Sequence, residues 1–353
     1  MSRVLVAMSG GVDSSVAAYL LMQSGHDCMG VTMRLYNGEA NSADFSTCCT
    51  EDNISDARSV ADSLSMPFDT VDFTGDFARC VIEPFIHAYE IGATPNPCIE
   101  CNRKLKFSRL HRTADELGFD KVATGHYARI SYENGRYLLK KGVDLSKDQS
   151  YVLYTLTQRE LARTVFPIGE YGKAQIREIA EQNGFVNASR RDSQDICFVP
   201  DGDYAAFIER YTGKSYPEGN FVDRDGNVLG RHRGIIRYTT GQRKGLGLAL
   251  PAPMYVCAKH IAENEVVLCG NDDLFSRSLD AANFNWIASD APTAPIKACV
   301  KIRYSQVEQP ATVIPTGEDS VHIEFETPQR AVTAGQAAVV YDGDTVVGGG
   351  TIL

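Results

Sequence analysis

Residues 3–8 (Arg-Val-Leu-Val-Ala-Met) are apolar almost throughout, the pattern of a strand buried on both faces of a parallel sheet. A Ser-Gly-Gly turn follows. From about Ser14, the residues Val16, Ala17, Leu20 and Leu21 recur along one helical face, which stops near Gly25. The spacing predicts further strands over 28–33, 68–73 and 121–124. It also predicts helices carrying Ile54, Ala57, Ala61 and Leu64, then over 77–89, 107–117 and 173–183. Strands alternating with helices predict an α/β domain, a doubly wound parallel sheet with helices on both faces. Asn134-Gly135 between Tyr132 and Tyr137 predicts a hairpin inserted into it.

Beyond about Pro200 the periodicity changes. Residues 201–271 combine a short helix (204–211) with glycine-rich turns, which predicts a small central α+β domain. From 272 onward apolar and polar residues alternate, as in Ile296, Ala298, Val300, Ile302 and Tyr304, and later Val321, Ile323 and Phe325. Gly, Pro and Asp turns separate these runs, the pattern of a C-terminal β-barrel. The expected organisation is a catalytic domain over 1–200, a central domain over 201–271 and a barrel over 272–353. A length of 353 residues accommodates this at roughly 150 residues per domain.

Composition is that of a globular protein, 43% hydrophobic and 23% charged, which excludes a disordered or fibrous chain. A net charge of −10 argues against a non-specific nucleic-acid coat, but the charge is unevenly placed. No acid lies between Asp225 and Glu263, a stretch holding Arg231, Arg233, Arg237, Arg243, Lys244 and Lys259. None interrupts Arg103, Lys104, Lys106, Arg109 and Arg112. Such stripes suit a polyanion gripped at defined places, with solvated faces as the alternative. No apolar run nears the ~20 residues of a membrane helix, so no membrane partner is expected. The N-terminal apolar stretch is too short for a signal peptide. Ten cysteines without an export signal predict a reducing, cytoplasmic setting.

The strongest chemical signal is Ser9-Gly10-Gly11-Val12-Asp13-Ser14-Ser15, between a buried strand and a helix N-terminus. Glycines let the backbone approach a phosphate, and N–H groups at the positive end of the helix dipole hold it. Ser9, Ser14 and Ser15 add hydroxyl donors. This is not the Walker pattern, because Gly213-Lys214-Ser215 has Ile208 where the first glycine is required. Asp13 is the expected neighbour of Mg2+, which prefers oxygen ligands and phosphate. Cys98-Ile99-Glu100-Cys101 precedes the basic run. A single CxxC lacks the further ligands of a zinc site, so no metal is expected from spacing. A thiol at a helix N-terminus beside Arg103 and Lys104 is instead expected to ionise readily and react. Cys28, Cys80, Cys257, Cys269 and Cys299 lie among apolar residues and are expected to pack. Cys48 and Cys49 are assigned no role.

The Ser-Gly-Gly-x-Asp-Ser loop resembles the PP-loop of ATP pyrophosphatases, which cleave ATP between the α- and β-phosphates and adenylylate a substrate oxygen. The chain also carries Asn96-Pro97-x-x-x-Cys101-Asn102, the run Ala123-Thr124-Gly125-His126-Tyr127-Ala128-Arg129, and Lys147-Asp148-Gln149-Ser150-Tyr151. Asp192-Ser193 leading to Ile196-Cys197-Phe198, and Tyr238-Thr239-Thr240-Gly241-Gln242-Arg243-Lys244-Gly245-Leu246-Gly247, complete the set. In this order, and over nearly the whole chain, these motifs resemble the bacterial tRNA-specific 2-thiouridylases.

The resemblance implies ATP, with Mg2+, on Ala7, Met8, Ser9, Gly10, Gly11, Val12, Asp13 and Ser14, with the main chain of Met33 and Gly125 at the adenosine. It implies adenylylation of the 2-oxygen of the wobble uridine of tRNA. Sulfur then arrives as a persulfide on Cys197, supplied by an upstream sulfur-carrier protein or a cysteine desulfurase. Cys101 either attacks that persulfide and releases sulfide, or resolves the disulfide after the terminal sulfur attacks. Both routes give 2-thiouridine, AMP and pyrophosphate and leave a Cys101–Cys197 disulfide for an outside reductant. By the same resemblance Asn96, Pro97 and Cys98 meet the extruded uracil, His126 lies beside it, and Lys147, Asp148, Gln149, Arg303, Tyr304 and Gln336 contact the tRNA.

One position departs from the family pattern, because many relatives have Asp where this chain has Cys98. The extra thiol is read as a substitute base contact, a spare resolving thiol, or a third ligand with Cys101 and Cys197 of an iron–sulfur cluster. Two other functions compete. A PP-loop ligase for a small metabolite would need neither thiol nor barrel, and a silent tRNA-binding protein would not need the intact loop.

Overall fold

The computed structural model describes residues 1–36, 51–190, 196–199 and 201–353; Cys48, Cys49, Asp192 and Ser193 lie outside them. The N-terminal strands are β1 (Arg3–Ala7), β2 (Asp27–Arg34), β3 (Phe68–Asp72) and β4 (Lys121–Ala123), followed by a hairpin of β5 (Ala128–Glu133) and β6 (Arg136–Lys141), then β7 (Thr164–Val165). Five of them form a parallel sheet in the order β3-β2-β1-β4-β7. In the central strand Val4, Leu5 and Val6 are wholly buried, which is why β1 reads as an unbroken apolar run.

Val16, Ala17 and Leu21 of α1 (Val12–Gln23) pack with Ala57, Val60 and Ala61 of α2 (Glu51–Ser63) and with Ile176 and Ala180 of the helix Lys173–Gln182. Leu110 and Ala114, from the helix Leu110–Glu116, close a second cluster with Leu5, Val31 and Val122. Both sheet faces are therefore covered, as expected. The chain runs from β1 outward through β2 to β3, then returns to the other side of β1 at β4. A sheet of this topology takes ligands in the crevice at the carboxyl ends of the two strands flanking that reversal.

The helix expected over 107–117 begins earlier. Pro97–Cys101 is α-helical, Asn102–Arg109 is π-helical and Leu110–Glu116 is α-helical again. Thr74–Phe77, Ala78–Ile82 and Glu83–Glu90 repeat the pattern. A π turn is wider than 3.6 residues, so apolar spacing marks only the regular part of such a helix. The hairpin turns at Asn134 and Gly135 (φ 50° and 82°) as its sequence predicted. It does not join the parallel sheet: β6 pairs with the C-terminal strand Thr345–Ile352 at Lys140 and Thr345.

The central region sets the helix Tyr204–Thr212 beside a sheet of β8 (Gly219–Val222), β9 (Val228–His232), β10 (Tyr255–His260) and β11 (Glu265–Cys269), in the order β10-β11-β8-β9. Then come β12 (Phe275–Trp286), β13 (Ile296–Lys301), β14 (Gln309–Pro315), β15 (Val321–Arg330), β16 (Ala337–Asp342) and β17 (Thr345–Ile352). They pair as β12-β15-β14-β13-β16-β17, and β12 pairs again with β17, which closes the barrel. Val300, Val313, Ile323 and Val340 fill it. Among the described residues no helix is long and apolar enough to cross a membrane.

Candidate active site

The chain leaves β1 at Ala7 and enters α1 through Met8–Gly11, with no side chain capping the first turn. Gly10 takes φ +76°, and a Cβ there would lie 2.3 Å from the Asn53 carbonyl oxygen, so conformation and space both require glycine. Ser14 Oγ accepts from the Ser9 N–H at 3.1 Å and donates to the Gly11 carbonyl at 3.0 Å, which Ser15 Oγ also reaches at 3.1 Å. The Ser14 and Ser15 hydroxyls, expected to point at phosphate, thus brace the loop itself. The N–H groups of the first helical turn are left without a side-chain cap.

A Cβ on Gly125 would lie 2.7 Å from Ser14 N and 2.8 Å from the Asp13 carbonyl carbon. The backbone after β4 therefore rests directly on the first turn of α1, at the sheet edge where β2 ends with Met33 and Arg34. Asp13 is an ion-pair partner in this structure. Its two carboxylate oxygens accept from Lys173 Nζ at 2.8 and 2.9 Å, and one also accepts from the Tyr127 hydroxyl at 2.7 Å. The sequence alone assigns no chemical role to Lys173 or Tyr127. Tyr127 lies inside the Ala123–Arg129 run, whereas a lysine opening a distant helix carries no local signal. Their effect is to place a cation beside the glycine loop.

His126 is buried between Phe107 and Phe166, with ring centroids at 5.8 and 5.9 Å, and its Nδ1 shares a 2.6 Å hydrogen bond with the Thr124 hydroxyl. Burial, reinforced by the Lys106 charge, holds its pKa well below the ordinary 6.5. The ring is accordingly neutral at physiological pH.

Asn96 caps the helix that Pro97 opens, its Oδ1 accepting from the Cys98 N–H at 3.1 Å. Cys98 is exposed, whereas Cys101, one turn on, is 7% exposed and packs in an apolar cluster with Phe77, Val81, Leu105 and Phe198. Half-buried Cys197 and Met33 pack against the same cluster. Two cysteines far apart in sequence thus border one apolar region beside the sheet's carboxyl edge, and both are thiols. Cys98 and Asp148 add, after burial itself, to the forces raising the Tyr304 pKa. Among the described residues no three His, Cys, Asp or Glu side chains are grouped to hold a metal.

The remaining expected contacts divide. Gln336 Nε2 donates to the Thr94 carbonyl at 2.7 Å, and the Thr94 N–H donates to Ala334 at 2.9 Å, seating a barrel loop on the segment before Asn96. Arg303 lies past the end of β13, donating to the Ala331 carbonyl (2.8 Å), the Thr333 hydroxyl (2.9 Å) and, at 3.4 Å, the Thr240 carbonyl of the central region. Both side chains are struts between modules. Tyr304 beside them is 43% exposed, with Lys301 Nζ 5.6 Å from its ring. Asp148, expected on the tRNA surface, is buried and spent on its own loop, accepting from the Gly142 and Ser150 N–H groups (3.1 Å each) and the Ser150 hydroxyl (2.8 Å). Gln149 Oε1 accepts from the Tyr127 N–H at 3.0 Å, which ties this loop to the Asp13 cluster, with Lys147 half-buried alongside.

The basic stripes are partly internal. Arg237 pairs with Glu209 (2.7 Å), Arg103 with Glu100 (2.6 Å) and Arg109 with Asp76 (3.2 Å). Lys259 donates to the Tyr238 carbonyl, and burial lowers its pKa to about 8. Lys104, Arg112, Arg233, Arg243 and Lys244 stay exposed.

Residues 2–201 match the family model described as the tRNA methyl transferase HUP domain, 205–270 the tRNA methyl transferase PRC-barrel domain, and 276–352 the aminomethyltransferase beta-barrel domain. The fold and these matches define a HUP-domain protein with two β modules appended. A tRNA-specific 2-thiouridylase MnmA of Lachnoclostridium phytofermentans is 49% identical over 356 residues, spanning 100% of both chains. Its namesake in Clostridioides difficile is 48% identical over 352 residues, 99% of this chain and 98% of that one. The chain belongs to the tRNA-specific 2-thiouridylase family.

Proposed function

We propose that the protein replaces the 2-oxygen of the wobble uridine of tRNA with sulfur, using ATP. The observation that supports this reading is a glycine loop leading from β1 into α1, together with Cys101 and Cys197, far apart in sequence, on one apolar cluster that Met33 at the end of β2 also joins. The domain models' descriptions speak of methyl transfer and the relatives' names of thiolation. The residues favour thiolation, because methyl transfer has no use for a phosphate loop and two thiols together.

A uracil carbonyl oxygen leaves poorly, and transfer of AMP to it creates a good leaving group while releasing pyrophosphate. The first-turn N–H groups of α1 and the Lys173 ammonium hold the phosphates. Mg2+, expected to accompany ATP, supplies charge neutralisation on those phosphates. Cys197 carries the sulfur as a persulfide received from a sulfur-carrier protein or a desulfurase. Cys101 either releases it as sulfide at the activated carbon or resolves the resulting disulfide. Either way AMP departs, 2-thiouridine forms, and a Cys101–Cys197 disulfide awaits a thiol reductant of the kind found in cytoplasm. Asn96, Pro97 and Cys98 at the exposed helix start, with neutral His126 behind, receive the extruded base. Tyr304 offers a face for stacking.

The test is incubation with ATP, a sulfur donor, reductant and unmodified tRNA, followed by nucleoside mass spectrometry. Appearance of 2-thiouridine supports the reading, and ATP consumption with sulfur-free tRNA refutes it. An iron assay and visible spectrum of anaerobically prepared protein address the cluster alternative, which iron-free active protein excludes.

A further inference from the structure

Asn187 is far from the phosphate loop in sequence and only 2% exposed, yet its Nδ2 donates to the Gly10 carbonyl oxygen and to Ser15 Oγ, both at 2.9 Å. Its Oδ1 is buried with no hydrogen-bond partner among the described residues. A buried acceptor left unsatisfied costs stability, so the side chain's orientation is set by what its donor end holds. Arg190 Nη1 reaches the same carbonyl at 3.5 Å and is itself anchored on Asp56.

The Gly10 carbonyl and the Gly11 N–H belong to one planar trans peptide and point in opposite directions. Fastening the carbonyl to Asn187 on one side aims the N–H to the other. Two consecutive glycines offer little steric resistance to a flip of that peptide, and a flipped peptide would present a carbonyl oxygen to an incoming phosphate. We infer that Asn187 is a positioning residue of the nucleotide loop. It presets the Gly10–Gly11 peptide with its N–H toward the triphosphate before ATP arrives, so that binding need not reorganise the loop. The inference rests on the nucleotide reading proposed above.

Asn187→Asp is nearly isosteric but carries no donor when ionised. Asn187→Ala removes both contacts without adding charge, and serves where the aspartate variant does not fold. ATP affinity of the full chain is measured by calorimetry, KM for ATP and for tRNA by thiolation, and folding by nucleotide-free melting. Folded variants are expected to lose roughly ten- to a hundred-fold in ATP affinity, the size of one buried hydrogen bond left unmade, with KM for tRNA unchanged. A folded variant that binds ATP within about twofold of wild type, the scatter of an inconsequential substitution, overturns the inference alone. Wild-type protein that binds no ATP overturns the nucleotide reading and this inference with it.

Discussion

Replacing Gly125 by alanine puts a methyl group 2.7 Å from Ser14 N, 2.8 Å from the Asp13 carbonyl carbon and 3.0 Å from the Asp13 oxygen. Each of these is main chain, so no side chain can swing aside. Ordinary contact begins near 3.4 Å, so the loop after β4 and the first turn of α1 must part by about 0.7 Å. Overpacking on this scale typically costs about 1–3 kcal/mol. The effect on binding is expected to exceed the effect on folding, because the displaced atoms are the N–H groups assigned to phosphate, and a shift near 1 Å can cost roughly a hundred-fold. Calorimetric titration with ATP, alongside nucleotide-free melting, separates the two quantities. The expected outcome is a folded protein, melting a few degrees lower, with ATP affinity reduced at least roughly tenfold. Unchanged affinity would show that the Gly125 loop and the α1 terminus do not jointly form the nucleotide site.

Cys197→Ser is expected to abolish 2-thiouridine while leaving ATP and tRNA binding intact, and sulfur insertion by that variant would remove the persulfide assignment. Lys173→Met leaves Asp13 with the Tyr127 hydroxyl but no cation. It should weaken ATP binding at least roughly tenfold and lower the melting temperature, consistent with about 1–3 kcal/mol for a part-buried charge left unpaired; no change in either measure would exclude a nucleotide role. The pH dependence of stability has a defined sign. Burial, then the Arg163 charge, lowers the His111 pKa from 6.5 to about 4. The unfolded chain therefore takes up a proton that the folded one refuses. This contribution is complete above pH 6.5 and is lost as pH falls toward 4, with His126 acting in the same direction. Melting temperature should drop on acidification from pH 7 to about 5, and less steeply in His111→Gln. Parallel curves for variant and wild type would refute the assignment.

Much was already present in the order of residues. Apolar strands such as β1 and the glycine turn after it are local patterns, and so is the closing alternation of β13 and β15. Physical chemistry acts on neighbours there: a buried strand needs consecutive apolar side chains, and a phosphate loop needs adjacent glycines before a helix. What the chain order could not decide was which distant groups answer each other. Lys173 and Tyr127 occupy the Asp13 carboxylate, and Asn187 holds Gly10. Asp148 turns inward to satisfy its own loop, Arg303 and Gln336 brace module joints, and the β5–β6 hairpin extends the barrel instead of the first sheet. Arg231 and Arg237 of one basic stripe, and Arg103 and Arg109 of the other, find an acid beyond the acid-free window. Hydrogen bonds and ion pairs act over a few ångströms and are indifferent to sequence separation, so these pairings exist only once the sheet, the central region and the closed barrel have brought their loops together.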